Sequence, residues 1–295
     1  MSPGVSHVIK TISDMITAGY ESMTRAEKQL ANSLLDNYPV SGLGSITTVA
    51  EAASVSTPTV VRMVQKLGFK GFTEFQGRLH QELEATISNP ITKHERMAPN
   101  APGAHILNRF ADAVANNMRQ SLGAIDPAEF DATAKLIGDR KRSVYLAGGR
   151  ITGALAEYFF THLQVIRQGV TRMSTSPSSW PHYVLDMNKG DVLILFDIRR
   201  YERELEALAR TATDNGVEII LFTDSWGSPI GKYARHSFRL SIEVPSAWDS
   251  SVVTLLLVEA LIEGVQSAHW DKTRERMSML ENLFESTPLF RRPGS

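Results

Sequence analysis

Residues Ile46 to Phe75 read ITTVAEAASVSTPTVVRMVQKLGFKGFTEF, and the rest of the chain is interpreted outward from them. Two short helical patterns flank the tight segment Ala53-Ser54-Val55-Ser56. Ser56 is suited to cap the second helix, and Pro58 falls in its first turn, where a missing N–H does no harm. Val60, Val61, Val64 and Leu67 make an apolar stripe for packing, which leaves Thr57, Thr59, Arg62, Met63, Gln65 and Lys66 to face outward. Such a pair is a helix-turn-helix, whose second helix enters the major groove of double-stranded DNA. Short polar side chains at the start of that helix, Ser56 among them, reach base edges, and Arg62 can pair bidentately with guanine. Lys66, Lys70 and Arg78 then stand where phosphates run.

Between Arg62 and Arg78 there are four basic residues and a single acid, Glu74. The acids of the N-terminal segment are mostly elsewhere, at Asp14, Glu21, Glu27, Asp36, Glu82 and Glu84, so the asymmetry is local. On periodicity alone, an ordinary helical hairpin with a solvated basic face stays open beside the DNA-reading one. Upstream, Thr24-Arg-Ala-Glu27 has the spacing of a capping box. The helix it opens carries Leu30, Leu34 and Leu35 and stops before Pro39.

With 295 residues and 42% hydrophobic content, the chain is long enough for two domains. A net charge of −1 gives no global pull toward nucleic acid or membrane. No cysteine is present, which excludes disulfides and thiolate metal sites and fits a reducing compartment. No basic leader precedes an apolar run, and segments such as Ser251–Leu261 are too short to span a bilayer. The expectation is a cytoplasmic protein with no membrane partner.

Helical periodicity covers roughly Val8 to Ser88, so residues 1–88 are read as the DNA-binding domain. Asn89 to Gly103, with three prolines and no apolar period, is the linker candidate (89–104). Residues 105–295 form the second domain. Two helical patterns, His105–Leu122 and Pro127–Gly138, precede a change of period. Ser143–Ala147, Asp191–Phe196 and Val217–Thr223 are short continuous apolar runs, alternating with helical patterns at Ile151–Ile166 and Tyr201–Asn215. That alternation predicts a parallel sheet in an α/β domain. A further strand is expected at Ser237–Val244, then a long helix from Ser250 to His269.

Thr24-Arg-Ala-Glu-Lys28, Ile46-Thr-Thr-Val-Ala-Glu-Ala-Ala53, Val55-Ser-Thr-Pro-Thr-Val-Val-Arg62 and Lys66-Leu-Gly-Phe-Lys-Gly-Phe72 together resemble the N-terminal domain of the RpiR/MurR family of bacterial transcription regulators. The resemblance runs over about Met23 to Leu83. It implies an all-α helix-turn-helix domain followed by a SIS (sugar isomerase) domain, a flavodoxin-like three-layer α/β/α sandwich with a parallel sheet. It also implies association into a homodimer or homotetramer. The apolar runs Ser251–Leu261 and Met277–Phe284 are candidates for that contact.

In a parallel α/β sheet, ligands bind at the carboxyl ends of strands, where helix N-termini offer N–H groups to anions. Three segments fall there: Gly148-Gly149-Arg150-Ile-Thr152, Asp197-Ile-Arg199-Arg200-Tyr-Glu202, and Ser246-Ala-Trp248-Asp-Ser250. SIS domains that hold sugar phosphates have a Gly-x-Gly-x-Ser turn and a Ser-x-Ser-Gly-x-Thr loop. Here Arg150 replaces the second glycine and Thr152 the serine of the turn. In the loop Asp197 and Arg199 replace the serines, Arg200 the glycine and Glu202 the threonine. A hydroxyl cradle has become a charged one. Its arginines can clamp a carboxylate or phosphate, or pair with Asp197 and Glu202 with no ligand at all. Trp248 can stack on a ligand ring or pack at an interface.

An isomerase is the rival reading, since the fold also hosts such enzymes. Proton transfer would need Glu243, His236, Glu157 or His162, none of which sits in a motif, and the substrate hydroxyls are absent. A plain scaffold is the third reading, disfavoured by the basic helix. The reading adopted is a DNA-binding transcription regulator, not an enzyme. It uses no cofactor, and its partners are operator DNA and a small metabolite, a carbohydrate derivative or other anionic or zwitterionic effector.

Overall fold

The computed structural model describes residues 11–36, 38–87 and 105–287. The expected linker Asn89–Gly103 and the outer ends of the expected N-terminal helical stretch, Val8 and Ser88, lie outside the described residues. Two compact units emerge, one from residues up to Pro102 and one built on Gly103–Pro245 and Asp249–Ser295.

The first unit is all helical: α1 (Ile12–Gly19), α2 (Arg25–Asp36), α3 (Ile46–Ala52), α4 (Thr57–Lys66) and α5 (Phe72–Ile87). The capping box at α2 forms as its spacing predicts: Thr24 N–H donates to Glu27 Oε2 at 2.8 Å and Glu27 N–H to Thr24 Oγ1 at 3.4 Å. Those bonds, led by the Thr24 backbone, hold the Glu27 carboxyl below its usual value. Ser45 caps α3 by accepting from Thr48 N–H at 3.1 Å. The turn between α3 and α4 closes through Val55 N–H to Ala50 O at 2.9 Å, with Ser54 at φ 51. After α4, Gly68 takes φ 97 and Phe69 N–H donates to Val64 O at 3.2 Å, a six-to-one closure that requires a left-handed residue. The Leu-Gly-Phe run is thus a helix stop. Ile12, Ile16, Leu30, Leu34, Val49, Val60, Met63, Val64, Phe75 and Leu79 fill one core.

In the second unit α6 (Ile106–Ala124) and α7 (Pro127–Gly138) lead into β1 (Val144–Gly148). Then follow α8 (Gly153–Ile166), β2 (Val170–Arg172), α9 (Trp180–Asp186), β3 (Val192–Phe196), α10 (Arg203–Asp214), β4 (Glu218–Asp224) and β5 (Ala234–Leu240). Two helices, α11 (Val252–Ala268) and α12 (Trp270–Ser286), complete it. All strand pairs are parallel, in the order β2-β1-β3-β4-β5. The sheet is covered on both faces. Val144, Leu146, Val192, Ile194, Phe196, Ile220 and Phe222 share a core with α7, α8 and α11. Tyr145, Ala147, Leu193, Leu195, Ile219 and Leu221 share the other with α9 and α10. The three-layer α/β/α sandwich expected from the sequence is therefore present, and its continuous apolar strands follow from double-sided burial.

One strand boundary, one unpredicted strand and one candidate contact surface differ from the sequence reading. The last strand lies at Ala234–Leu240 and not Ser237–Val244, because Ile242 and Val244 keep the alternating burial after the ladder has ended. The edge strand β2 spans three half-buried residues and has no apolar run to announce it. Within Ser251–Leu261, Val253, Leu257, Val258 and Leu261 belong to the core of their own unit, while Val252 lies exposed and Leu255 and Leu256 are half-buried. On α12, Met279 and Leu283 do lie exposed. Among the described residues, no single helix is long and apolar enough to cross a membrane.

Candidate functional site

The helix α4 separates its residues by one turn of geometry. Thr59, Val60, Met63, Val64 and Leu67 point inward, and Thr59 and Met63 are 6% and 0% exposed. Both had been expected on the outer face. The i, i+4 spacing of Thr59 and Met63, one residue ahead of Val60 and Val64, places them on the packed stripe, so neither can touch a base. Val61 is only half-buried, and Met63 takes the place assigned to it in the stripe. The outward side chains are Arg62, Gln65 and Lys66, all exposed, with Thr57 half-buried at the start. Arg62 Nη2 donates to Thr59 Oγ1 at 3.3 Å, which steers its guanidinium along the helix.

Ser56 forms no side-chain cap. Its hydroxyl lies 2.9 Å from Thr59 Oγ1, and its carbonyl instead starts the helix by accepting from Thr59 N–H. Lys70 is exposed. The other two basic residues have internal duties. Lys66 Nζ donates to Ser22 O at 2.7 Å and to Glu27 Oε2 at 3.2 Å, which ties α4 to the start of α2. Arg78 Nε lies 3.2 Å from Glu82 Oε1 and neutralises a carboxylate that is 3% exposed. Glu82 also accepts from Ile12 N–H at 3.2 Å and from the Tyr38 hydroxyl, and burial raises its pKa against those bonds. Arg78 thus supports the fold of the head, where sequence spacing suggested a phosphate contact.

In the second unit, the expected turn and loop come together at the carboxyl ends of β1 and β3. Gly148 has no room for a side chain against the backbone, and a side chain at Gly149 would displace the Glu202 carboxylate. A Cβ at Gly148 would lie 2.9 Å from the Thr152 carbonyl, and one at Gly149 would lie 2.5 Å from Glu202 Oε1. Thr152 is buried and stitches two strands together: its hydroxyl accepts from Gly149 N–H at 2.9 Å and donates to Phe196 O at 2.7 Å. It was expected to face a ligand, and its hydroxyl is already engaged on both sides. Glu202 Oε1 accepts from Arg150 N–H at 3.0 Å, so an internal carboxylate sits on the backbone donor that an anion would use.

Arg199 is 7% exposed and holds φ 68, a left-handed conformation for a residue that carries a side chain. Its Nε and Nη2 each donate to Asp249 at 2.8 Å, in a bidentate pair, and Nη2 lies 3.4 Å from Glu243. The guanidinium stacks 4.3 Å above the Trp226 ring, and the Arg199 N–H donates to Asp224 Oδ2 at 2.6 Å. Charged partners keep Arg199 ionised against its desolvation. Sequence reasoning left the arginines either to clamp an acidic ligand or to pair with Asp197 and Glu202. The observed partners are Asp249 and Glu243, because the loop directs its arginine toward the end of β5. Arg150 and Arg200 are exposed. Ser250 accepts from Val252 N–H at 3.3 Å, Ser246 accepts from Trp248 N–H at 3.1 Å, and Trp248 is exposed. The aromatic that stacks on Arg199 is Trp226.

Asp197 is 3% exposed; it accepts from the Ser228 hydroxyl and from Glu202 N–H at 3.2 Å. Burial comes first among the causes that push its carboxyl up to about 6, with Asp224 and Glu202 adding repulsion. Asp224, raised by its own burial, accepts from the Tyr201 hydroxyl at 2.7 Å. A carboxyl that binds its proton more tightly folded than unfolded stabilises the fold fully below its unfolded value of 3.8. That stability is lost as pH rises through about 6. Thermal unfolding across this window should show a falling melting temperature, and Asp197→Asn should flatten the fall. A slope unchanged in the variant would remove Asp197 as its source.

Asp224, Trp226 and Ser228 went unnoticed in the sequence, although Asp224 ends a recognised strand and the rule applied to β1 and β3 covers β4 as well. The candidates for proton transfer are dispersed: Glu157 lies 3.4 Å from Arg172, His236 lies 3.7 Å from Glu129, and His162 bonds Tyr158 O. Among the described residues, no three His, Asp or Glu converge to hold a metal.

Comparison with known proteins joins the two units. Residues 10–86 match the helix-turn-helix domain of the rpiR family, and residues 137–264 match the SIS domain. An uncharacterized HTH-type transcriptional regulator of Haemophilus influenzae is 28% identical over 218 residues, 73% of this chain and 74% of that protein. The HTH-type transcriptional regulator HexR of Pseudomonas aeruginosa is 24% identical over 271 residues, 87% of this chain and 90% of its own length. Among solved structures, the Vibrio vulnificus NanR protein complexed with ManNAc-6P covers 95% of this chain and 99% of its own, with TM-score 0.55 and 16% identity. A helix-turn-helix head and a parallel-sheet SIS domain are the two parts of one known architecture, and this chain belongs to the RpiR family of helix-turn-helix transcription regulators that carry a SIS domain.

Proposed function

We propose that Thr57, Arg62, Gln65 and Lys70 form the operator-reading surface of this regulator. The observation that carries this is the division of α4, whose buried stripe leaves Arg62 and Gln65 outermost. One recognition helix covers only a few base pairs, so two heads of a homodimer, or of a homotetramer, engage two half-sites. The SIS domain senses a small acidic carbohydrate derivative at the carboxyl ends of β1, β3 and β5, and the ligand alters operator binding by favouring one arrangement of the heads. The NanR protein above is complexed with a sugar phosphate. In this chain Glu202 stands on the Arg150 N–H and Asp249 on Arg199, so an acidic ligand enters by exchanging with one of these carboxylates. No catalytic step is assigned. Glu243, the best-placed carboxylate, is engaged with Arg199.

The test is capture of fragmented DNA from the source genome by the purified chain at physiological salt, followed by sequencing. One or a few sites with two-fold symmetric halves support the reading, and the adjacent genes nominate the effector. Uniform retention, or none, counts against sequence-specific recognition.

A further inference from the structure

At the opposite end of the sheet, the amino ends of β1 and β5 border a cavity of about 630 Å³, a size that suits small ligands. Its wall is strongly basic. Lys135 comes from α7, Arg140, Lys141 and Arg142 from the connection into β1, Arg235 from the start of β5, and Lys272 from α12. His236 and His269 join them, and Asp139 is the one acid in the lining.

Part of this charge is compensated. Arg142 Nε lies 2.9 Å from Asp139, Arg235 lies 2.7 Å from Glu218, and His236 lies 3.7 Å from Glu129. Arg140 donates to the Ile166 carbonyl at 3.1 Å, which leaves its charge intact. Among the described residues, no carboxylate forms an ion pair with Lys135, Lys141 or Lys272. Lys141 shares Asp139 with Arg142, and Lys135, Arg140 and Lys272 have no carboxylate partner among the described residues, so the cations facing this one concavity outnumber its acids in a chain whose net charge is −1. The carboxyl end of α7 attracts nearby cations through its dipole, which accounts for Lys135 and its neighbours in the connection. It does not account for Lys272, which a separate helix delivers to the same space.

We propose that this cavity is a second ligand site, distinct from the mouth at the carboxyl ends of the strands, and that it takes a small polyanion with two or more phosphate or carboxylate groups. Convergence from three directions lets each cation reach a different acidic group of one ligand. A DNA duplex, whose major groove alone is about 12 Å wide, meets only the rim of such a concavity. A bound polyanion spans the α7–β1 connection and α12 at once. It thereby touches the helix that carries the exposed Met279 and Leu283.

The probe is inorganic tripolyphosphate, titrated calorimetrically into the full chain at physiological salt. Saturable binding is expected. Lys141→Gln combined with Lys272→Gln should weaken it by roughly tenfold or more. Both lysines are exposed, so the fold should persist. A charge-matched control, Lys189→Gln with Lys232→Gln, removes two exposed lysines from elsewhere in the same unit and should bind as the parent does. No saturable binding overturns the proposal. So does equal weakening by both pairs, which would mean general charge attraction. Failure to bind tripolyphosphate together with weaker non-specific duplex binding in the Lys141/Lys272 variant would reassign the surface to the DNA backbone.

Discussion

Replacing Met63 with alanine is expected to destabilise the helical head by about 2–5 kcal/mol, whereas the same change at Arg62 leaves the head folded and weakens operator binding by roughly 1–3 kcal/mol. The two residues are neighbours on one helix with opposite fates. Met63 is fully buried in the head's core, so truncation removes its contacts and leaves a cavity. Arg62 is exposed, and its loss removes hydrogen-bond donors without opening the core. Thermal unfolding of each variant, set beside affinity for the captured operator, reads both effects. An Arg62→Ala chain that binds as the parent does would sink the recognition surface. A Met63→Ala chain with the parent's melting temperature would contradict the inward orientation of that side chain. Lys66→Ala should disturb both measurements modestly, since its ammonium tethers α2.

The second large effect is expected at Asp249. Removing one partner from a fully buried ion pair destabilises by about 3–5 kcal/mol, and the part-buried Arg199–Asp249 pair is partly screened by solvent. Asp249→Ala should therefore fall below that range, at about 1–3 kcal/mol, because solvent reaches the pair, Glu243 remains 3.4 Å from the Arg199 guanidinium and Trp226 remains beneath it. Arg199→Met in the same background should recover part of the loss by removing the stranded charge. A melting temperature unaffected by Asp249→Ala would show that the pair contributes nothing net. Failure of the second change to help would point to packing rather than charge.

The sequence made the architecture readable because each level agreed with the next. Apolar runs bounded by turn residues became β1, β3 and β4, and the capping box at Thr24 appears where its chemistry requires it. The site was less legible. Outward and inward positions on a ten-residue helix differ by one residue, so Thr59 and Met63 were placed on the wrong side. Ion pairing was harder still. The loop at 197–202 shows its charges plainly, yet the partners of Arg199 lie 44 and 50 residues further along the chain. No local spacing rule reaches that distance. Lys66 and Arg78 illustrate the same point, since a basic residue on an exposed helix reads alike whether it serves DNA or a buried carboxylate.

The left-handed backbone of Arg199 gives the mouth of the SIS domain the character of a sprung latch. Left-handed geometry in a residue with a side chain opposes folding by about 1–2 kcal/mol, and here the bonds from Arg199 to Asp249 and Asp224 hold it in place. At the effector site proposed above, a ligand that drew the guanidinium away from Asp249 would remove the side-chain bonds and leave the backbone bond to Asp224 in place. The backbone at Arg199 then stays pinned by Asp224 while the guanidinium exchanges partners, so under the proposed function the latch moves its side chain and not its frame.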